Sequence, residues 1–411
     1  MASPRRTPTS PGGSPPRSTS TRSPLRSAGF LAVLVATFAA FGGYALLLPV
    51  LPLWAAAGGS GPGLAGSVTG VFMAATVVSQ LGVPALLRAA GHRAALALGA
   101  LLLGAPAALL PLSPSLGLLV PVAIVRGVGF GVLTVTGAAL VSDLVDPRVR
   151  GRATGVYGIA IGLPQLGLLT GGVWAWSRLG PTPVLLAGAA LPLLALPAML
   201  LLPRRVFPVP DDRSGPVPGS SRPLPWRHVV GPWLVMLVCA ASAGGVITVL
   251  PLVGAGTTGT AELSLFALTL FQLVGRGVSG ELGDRLGLAG RITRPALLLT
   301  ALGAAAAAGG LLVGSTPVVV LGAGVVGLGF GAVQNDTLVT LFDRAGPGRS
   351  GTASSVWNTA YDAGTGVGAT ALSAVLGAAG APWSFAVAAA ACLLVLGGTW
   401  TRAATTARTV G

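Results

Sequence analysis

A run near the middle of the chain returns almost unchanged 200 positions later, first as Gly129-Phe130-Gly131 and then as Gly329-Phe330-Gly331. In the same register Asp143, Pro147, Gly151, Ala153 and Val156 return as Asp343, Pro347, Gly351, Ala353 and Val356. Val50-Leu51-Pro52-Leu53 has its own echo in Val249-Leu250-Pro251-Leu252. Both copies lie in sequence apolar enough for lipid. Two similar hydrophobic halves imply two bundles that rock against each other about a site near the bilayer midplane, the architecture of a secondary transporter.

Hydrophobic residues fill 52% of the 411 positions and charged ones 9%. A soluble domain carries about 25% charged residues, so this chain cannot cover a water-facing surface and reads as an integral membrane protein. The formal charge of +15 would suggest a nucleic-acid partner in a soluble protein. Its placement argues against one. Every basic residue is an Arg, and they gather in three kinds of place: the N-terminal tail (Arg5, Arg6, Arg17, Arg22, Arg26), a central stretch (Arg204, Arg205, Arg213, Arg222, Arg227) and alternate short loops. Those loops hold Arg148, Arg150 and Arg152, then Arg285, Arg291 and Arg294, then Arg344 and Arg349, whereas the intervening loops offer only Arg178. This positive-inside pattern sets both termini and the central stretch in the cytoplasm, with the body in a bacterial-type plasma (inner) membrane.

A spanning helix needs about 20 apolar residues. Six such runs lie at 28–54, 64–87, 94–113, 117–142, 153–175 and 181–203, and six more at 229–253, 263–283, 294–314, 316–342, 352–378 and 382–401. The expected fold is therefore all-α, twelve transmembrane helices in two pseudo-symmetric six-helix bundles. Its parts are a disordered cytoplasmic tail at 1–27, bundles at 28–203 and 229–401, a cytoplasmic linker at 204–228 and a short C-terminal tail at 402–411. Glycine, at 63 residues, is concentrated in the spans, where small residues let helices approach closely. Gly127-xxx-Gly131 and Gly327-xxx-Gly331 place such grooves on the fourth and tenth spans.

Between the eighth and ninth spans the chain reads Gly280-Glu-Leu282-Gly-Asp284-Arg285-Leu-Gly287. This resembles the signature loop of the major facilitator superfamily, and the resemblance implies that Gly280, Asp284, Arg285 and Gly287 form a conformational latch on the cytoplasmic side. The first-half counterpart reads Pro84-Ala-Leu86-Leu-Arg88-Ala-Ala-Gly91, with Arg88 at the Asp position, so no latch role is carried over there. Arg126-Gly-Val-Gly129-Phe-Gly131 and Gly158-xxx-Gly162-Leu-Pro164 are similar to the span-4 and span-5 motifs of the drug–proton antiporter branches. That similarity implies efflux, with Arg126 a candidate in proton coupling.

Charge inside the bilayer is expensive, about 2.5–3.5 kcal/mol at a helix centre on insertion scales, so the few embedded ionisable groups should face a cavity or a partner. Asp362 lies eleven residues beyond Gly351, about 16 Å deep at 1.5 Å per residue and close to the midplane. Asn358 is one turn earlier and Tyr361 and Thr365 flank it, so these groups share a helix face. Gln334, Asn335 and Asp336 follow the glycines of the tenth span, nearer its cytoplasmic end. Arg126 and Arg276 are embedded cations that need a counter-charge, a carbonyl or water. Gln165, Gln80 and Tyr44 are further cavity candidates. Each has a structural alternative, an interhelical hydrogen bond or ion pair. The first span carries no carboxylate, so proton coupling should depend on Asp362 or Asp336.

These features favour proton-coupled efflux of a small organic solute such as a drug, secondary metabolite or metallophore. The alternative is proton-coupled uptake of a small nutrient, a sugar or organic acid, with a non-transporting sensor further behind. No enzyme is expected: Cys239 and Cys392 sit in apolar runs, and neither His92 nor His228 has another candidate ligand at metal-ligand spacing in the sequence. No metal, cofactor or disulfide framework follows from them. No Gly-rich phosphate loop of the Walker type appears, so ATP-driven transport is not expected. The expected partners are the small-molecule substrate, protons and the lipid bilayer, and the expected state is a monomer.

Overall fold

The computed structural model describes residues 28–144, 150–202, 226–253, 259–345 and 350–408. The expected tail at 1–27 and nearly all of the 204–228 linker lie outside them. In lipid a backbone satisfies its own polar groups only as a helix or a closed barrel, and the described residues are helical almost throughout. The first half comprises α1 (Ala28–Ala57), α2 (Pro62–Gln80), α3 (Val83–Gly104), which tightens into a 3-10 turn at Ala105–Leu112, α4 (Leu116–Leu144), α5 (Arg150–Leu179), α6 (Pro181–Leu194) and its short continuation α7 (Leu196–Leu200). The second half comprises α8 (Trp226–Val253), α9 (Thr260–Leu286), α10 (Thr293–Leu312), α11 (Thr316–Ala345), α12 (Ser350–Ala379) and α13 (Ala381–Arg408). Because α6 and α7 make one span, these are twelve spans, six and six, and from α8 on the helix number runs one ahead of the span number. The last helix reaches Arg408, seven residues past the expected end at 401.

The two halves pack alike. A Cβ on Gly131 of α4 would come 2.6 Å from the carbonyl of Thr76 on α2, and one on Gly331 of α11 would strike the carbonyl of Gln272 on α9. Gly127 and Gly327 make the matching pair one turn away, against Phe72 and Leu268. The repeat seen in sequence is therefore a repeat of helix crossings, with glycine required because backbone meets backbone.

One difference separates the halves. Pro84 stands where the second half has Gly280, and proline has no N–H to donate to the carbonyl four residues back, that of Gln80. Accordingly α2 stops at Gln80 and α3 restarts at Val83, whereas α9 runs unbroken from Thr260 to Leu286. Gly91 then turns the chain at φ +78°, as Gly287 does at φ +64°.

Between the halves the closest contact is α2 along α12. Gly63 lies beside Ala374, Gly66 beside Ala369 and Ser373, and Gly366 beside Met73, whose Cβ would be 2.7 Å from a Cβ placed there. This seam begins at the end of the molecule where α2 starts and runs inward to Gln80 and Asp362. Contacts of α1 with α8 and of α5 with α9 complete the join.

Eleven of the twelve spans are apolar and long enough to cross a bilayer by themselves. The exception is α12, thirty residues long, which Ser354, Ser355, Asn358, Thr359, Asp362 and Thr365 make too polar. A spanning helix of that character is tolerated where it faces protein or a cavity.

Candidate functional site

Asp362 sits near the middle of α12, 3% exposed. Its Oδ2 accepts a hydrogen bond of 2.7 Å from Nε2 of Gln80 on α2, joining the two halves. Gln80 is the last residue before the Pro84 break, and its Nε2 also lies 3.5 Å from the Thr134 hydroxyl of α4. The carboxylate is thus held at the inner end of the α2–α12 seam by a neutral donor.

Around this bond lie two aromatic groups, one from each half. In the first, Tyr44 stacks on Phe130 at 4.1 Å between centroids and on Phe72 at 5.9 Å. In the second, Tyr361 stacks on Phe330 at 5.8 Å and lies 5.6 Å from Trp357. Phe130 and Phe330 are the repeated phenylalanines of the sequence. Tyr361 precedes Asp362 on α12, and Tyr44 lies within electrostatic range of both.

Each aromatic group has an arginine. Arg126, 2% exposed, sets its guanidinium carbon 5.5 Å from the centroid of the Phe72 ring and donates from Nε to the Leu103 carbonyl at 3.2 Å. It lines a small cavity with Tyr44, Leu47, Leu51, Thr69 and Phe72. Arg276 is half-buried on α9 and neighbours Tyr361 electrostatically. Neither arginine makes an ion pair among the described residues.

The remaining predicted residues have other occupations. Asp336, 1% exposed, does not turn toward this cluster. Its carboxylate accepts from the backbone N–H of Gly290 at 2.6 Å, the N–H of Thr293 at 2.7 Å and the Thr293 hydroxyl at 2.5 Å. Those donors belong to the turn and first residue of α10, so the carboxylate caps that helix. Asn335 reaches Ser279 of α9 at 3.5 Å, and Asn358 donates back to its own helix at the Ser354 carbonyl. Gln334 is buried with its Oε1 unpartnered among the described residues, and Gln165 is half-buried on α5. In the loop expected to latch the halves, Arg285 pairs with Glu281 one turn earlier on α9, and both are exposed. Asp284 is exposed too, Gly287 ends the helix, and Gly280 faces the Asn335 amide.

Sequence reasoning ranked Gln80 low and passed over Phe72, Phe330 and Trp357. The repeated Gly-Phe-Gly marked Phe130 and Phe330 as structurally equivalent, the one signal that pointed to them. Among the described residues no group of three His, Cys, Asp or Glu side chains converges as a metal site would require.

The family model of the Major Facilitator Superfamily matches residues 33–369. The chain belongs to that superfamily. No curated protein matches it. Its fold is similar to that of a POT family transporter in complex with 5-aminolevulinic acid, at TM-score 0.75 and 14% identity over 91% of this chain and 95% of that one. It is also similar to a bacterial homolog of the human lysosomal transporter Spinster, in an inward-facing and unoccupied conformation, at TM-score 0.71 and 14% identity over 92% and 96% of the chains. The human organic anion transporter MFSD10 (TETRAN) aligns at TM-score 0.61 and 18% identity over 90% and 98%. This superfamily member is thus a multi-pass membrane transporter by family, and the family points to transport rather than catalysis.

Proposed function

We propose that the protein is a secondary active transporter that moves a small organic solute by alternating access, exchanging it for protons in the direction of efflux, with Asp362 as the proton-carrying group. The observation that carries this reading is the 2.7 Å bond between Gln80 of one half and Asp362 of the other. In the closed seam the carboxylate is out of water and bonded by an amide. Parting α2 from α12 removes the amide and lets water in, so opening and protonation are linked at one atom. The embedded arginines and the polar α12 support a cleft that handles charge. Efflux follows the span-5 resemblance at Gly158, Gly162 and Pro164; uptake remains the second reading. Of the other predicted side chains we keep Tyr44, Tyr361, Arg126 and Arg276 beside the cargo and assign Asp336 to holding the α10 turn.

The test is proton movement in proteoliposomes carrying a pH-sensitive dye, read as compounds from a small panel are added. Wild type should move protons against a transported compound, and Asp362→Asn should still move that compound down its own gradient with no proton signal. Proton exchange that survives in Asp362→Asn overturns the assignment.

A further inference from the structure

Two aspartates and two arginines lie within the described spans: Asp362, Asp336 and Arg126 are buried, and Arg276 is half-buried. Both carboxylates are satisfied by neutral donors, the Gln80 amide in one case and the α10 turn in the other. Both arginines are left without an anion. A guanidinium has five N–H donors in a planar fork, and only the Nε of Arg126 finds a protein acceptor among the described residues. Arg276 makes no hydrogen bond with any described residue, and its neighbour is a tyrosine. A buried arginine kept only for packing would spend its fork on carbonyls or a carboxylate, because each embedded charge is costly unless compensated.

The surroundings narrow what the missing anion is. The cavity at Arg126 is walled by Leu47, Leu51 and Phe72, with only Tyr44 and Thr69 to offer hydroxyls, and in this closed state it has room for about one water, so cargo fits there only once the halves part. Such walls would strip a hydrated inorganic ion of its water and return little. They suit a carboxylate attached to an apolar body. The faces nearby are aromatic in both halves, Tyr44, Phe72 and Phe130 on one side and Phe330, Trp357 and Tyr361 on the other. Planar rings gain about 0.5–1.5 kcal/mol from stacked or edge contacts beyond the area they bury.

The geometry points to an aromatic carboxylate as the cargo class, its carboxylate gripped by the free N–H groups of Arg126, its ring among Tyr44, Phe72 and Tyr361, and Arg276 supplying the second positive charge of the cleft. The inference rests on the transport reading only in taking this cleft as the cargo site. Proton exchange at Asp362 is a separate matter, so the two fail separately.

The probes are 2-naphthoate and its uncharged amide, 2-naphthamide, added to the full chain in detergent while thermal unfolding is followed. A ligand that binds only the folded state raises the midpoint, by an amount that grows with the logarithm of its concentration once this exceeds Kd. We expect 2-naphthoate to raise it and 2-naphthamide to leave it unchanged. Arg126→Gln should need at least about tenfold more 2-naphthoate for the same rise in midpoint, with Arg126→Lys intermediate because a point charge replaces the fork. Should Arg126→Gln not fold, Arg276→Gln should weaken the response in the same direction. Equal stabilisation by both probes, stabilisation by neither, or an undiminished response in both arginine variants overturns the proposal.

Discussion

Asp336 and Asp362 are two buried aspartates 26 positions apart whose surroundings give them different work. Asp336 accepts three hydrogen bonds from one turn and thereby closes the start of α10, whereas Asp362 accepts one from the opposite half. Losing a helix cap to alanine costs about 0.5–2 kcal/mol, so Asp336→Ala should lower the unfolding midpoint in detergent while proton exchange in proteoliposomes persists. Abolished exchange with an unchanged midpoint would reverse the two assignments. Depth along the helix made Asp362 visible in the sequence, since eleven residues from Gly351 reach the midplane. Its partner was not visible, because Gln80 is 282 positions away and single glutamines in spans usually bond locally. The role of Asp336 was hidden for the same reason: its donors Gly290 and Thr293 belong to a turn that only folding brings to α11. Arg285, by contrast, has Glu281 four residues before it, a spacing at which helical side chains meet, and a local pair competes with any reach across the halves.

At the scale of helices, glycine decides how near α2 and α12 come. Gly366 has the Cβ of Met73 2.7 Å from where its own would stand, so a larger side chain there must hold the helices apart. Gly366→Leu should keep the protein folded in the open form, cut solute flux at least about tenfold, and raise labelling of Ala369→Cys by a membrane-impermeant maleimide. Unchanged flux would show that this seam does not close during transport. Runs of apolar residues announced all twelve spans, the one at 352–378 included, although that helix falls short of the hydropathy the other eleven reach. The break after Gln80 follows from Pro84, a residue plain in the sequence. That it leaves the Gln80 side chain facing the other half required coordinates.

Across the whole molecule, two six-helix halves meet along one long seam whose far end lies at Gly63 and Ala374, with a Gly63 Cβ 3.3 Å from the Ala374 Cα. Gly63→Cys together with Ala374→Cys, in a background lacking Cys239 and Cys392, should form a disulfide under mild oxidation. Transport should stop on oxidation and return on reduction, because a tied seam cannot alternate; continued flux in the oxidised protein would contradict a rocking cycle. The polarity of α12 carries one further consequence, for how the chain is made. A segment less apolar than the other eleven spans gains from company as it leaves the ribosome. Both of its main neighbours, α2 and α8, are synthesised before it, so the order of the helices along the chain has a protein surface waiting to receive it.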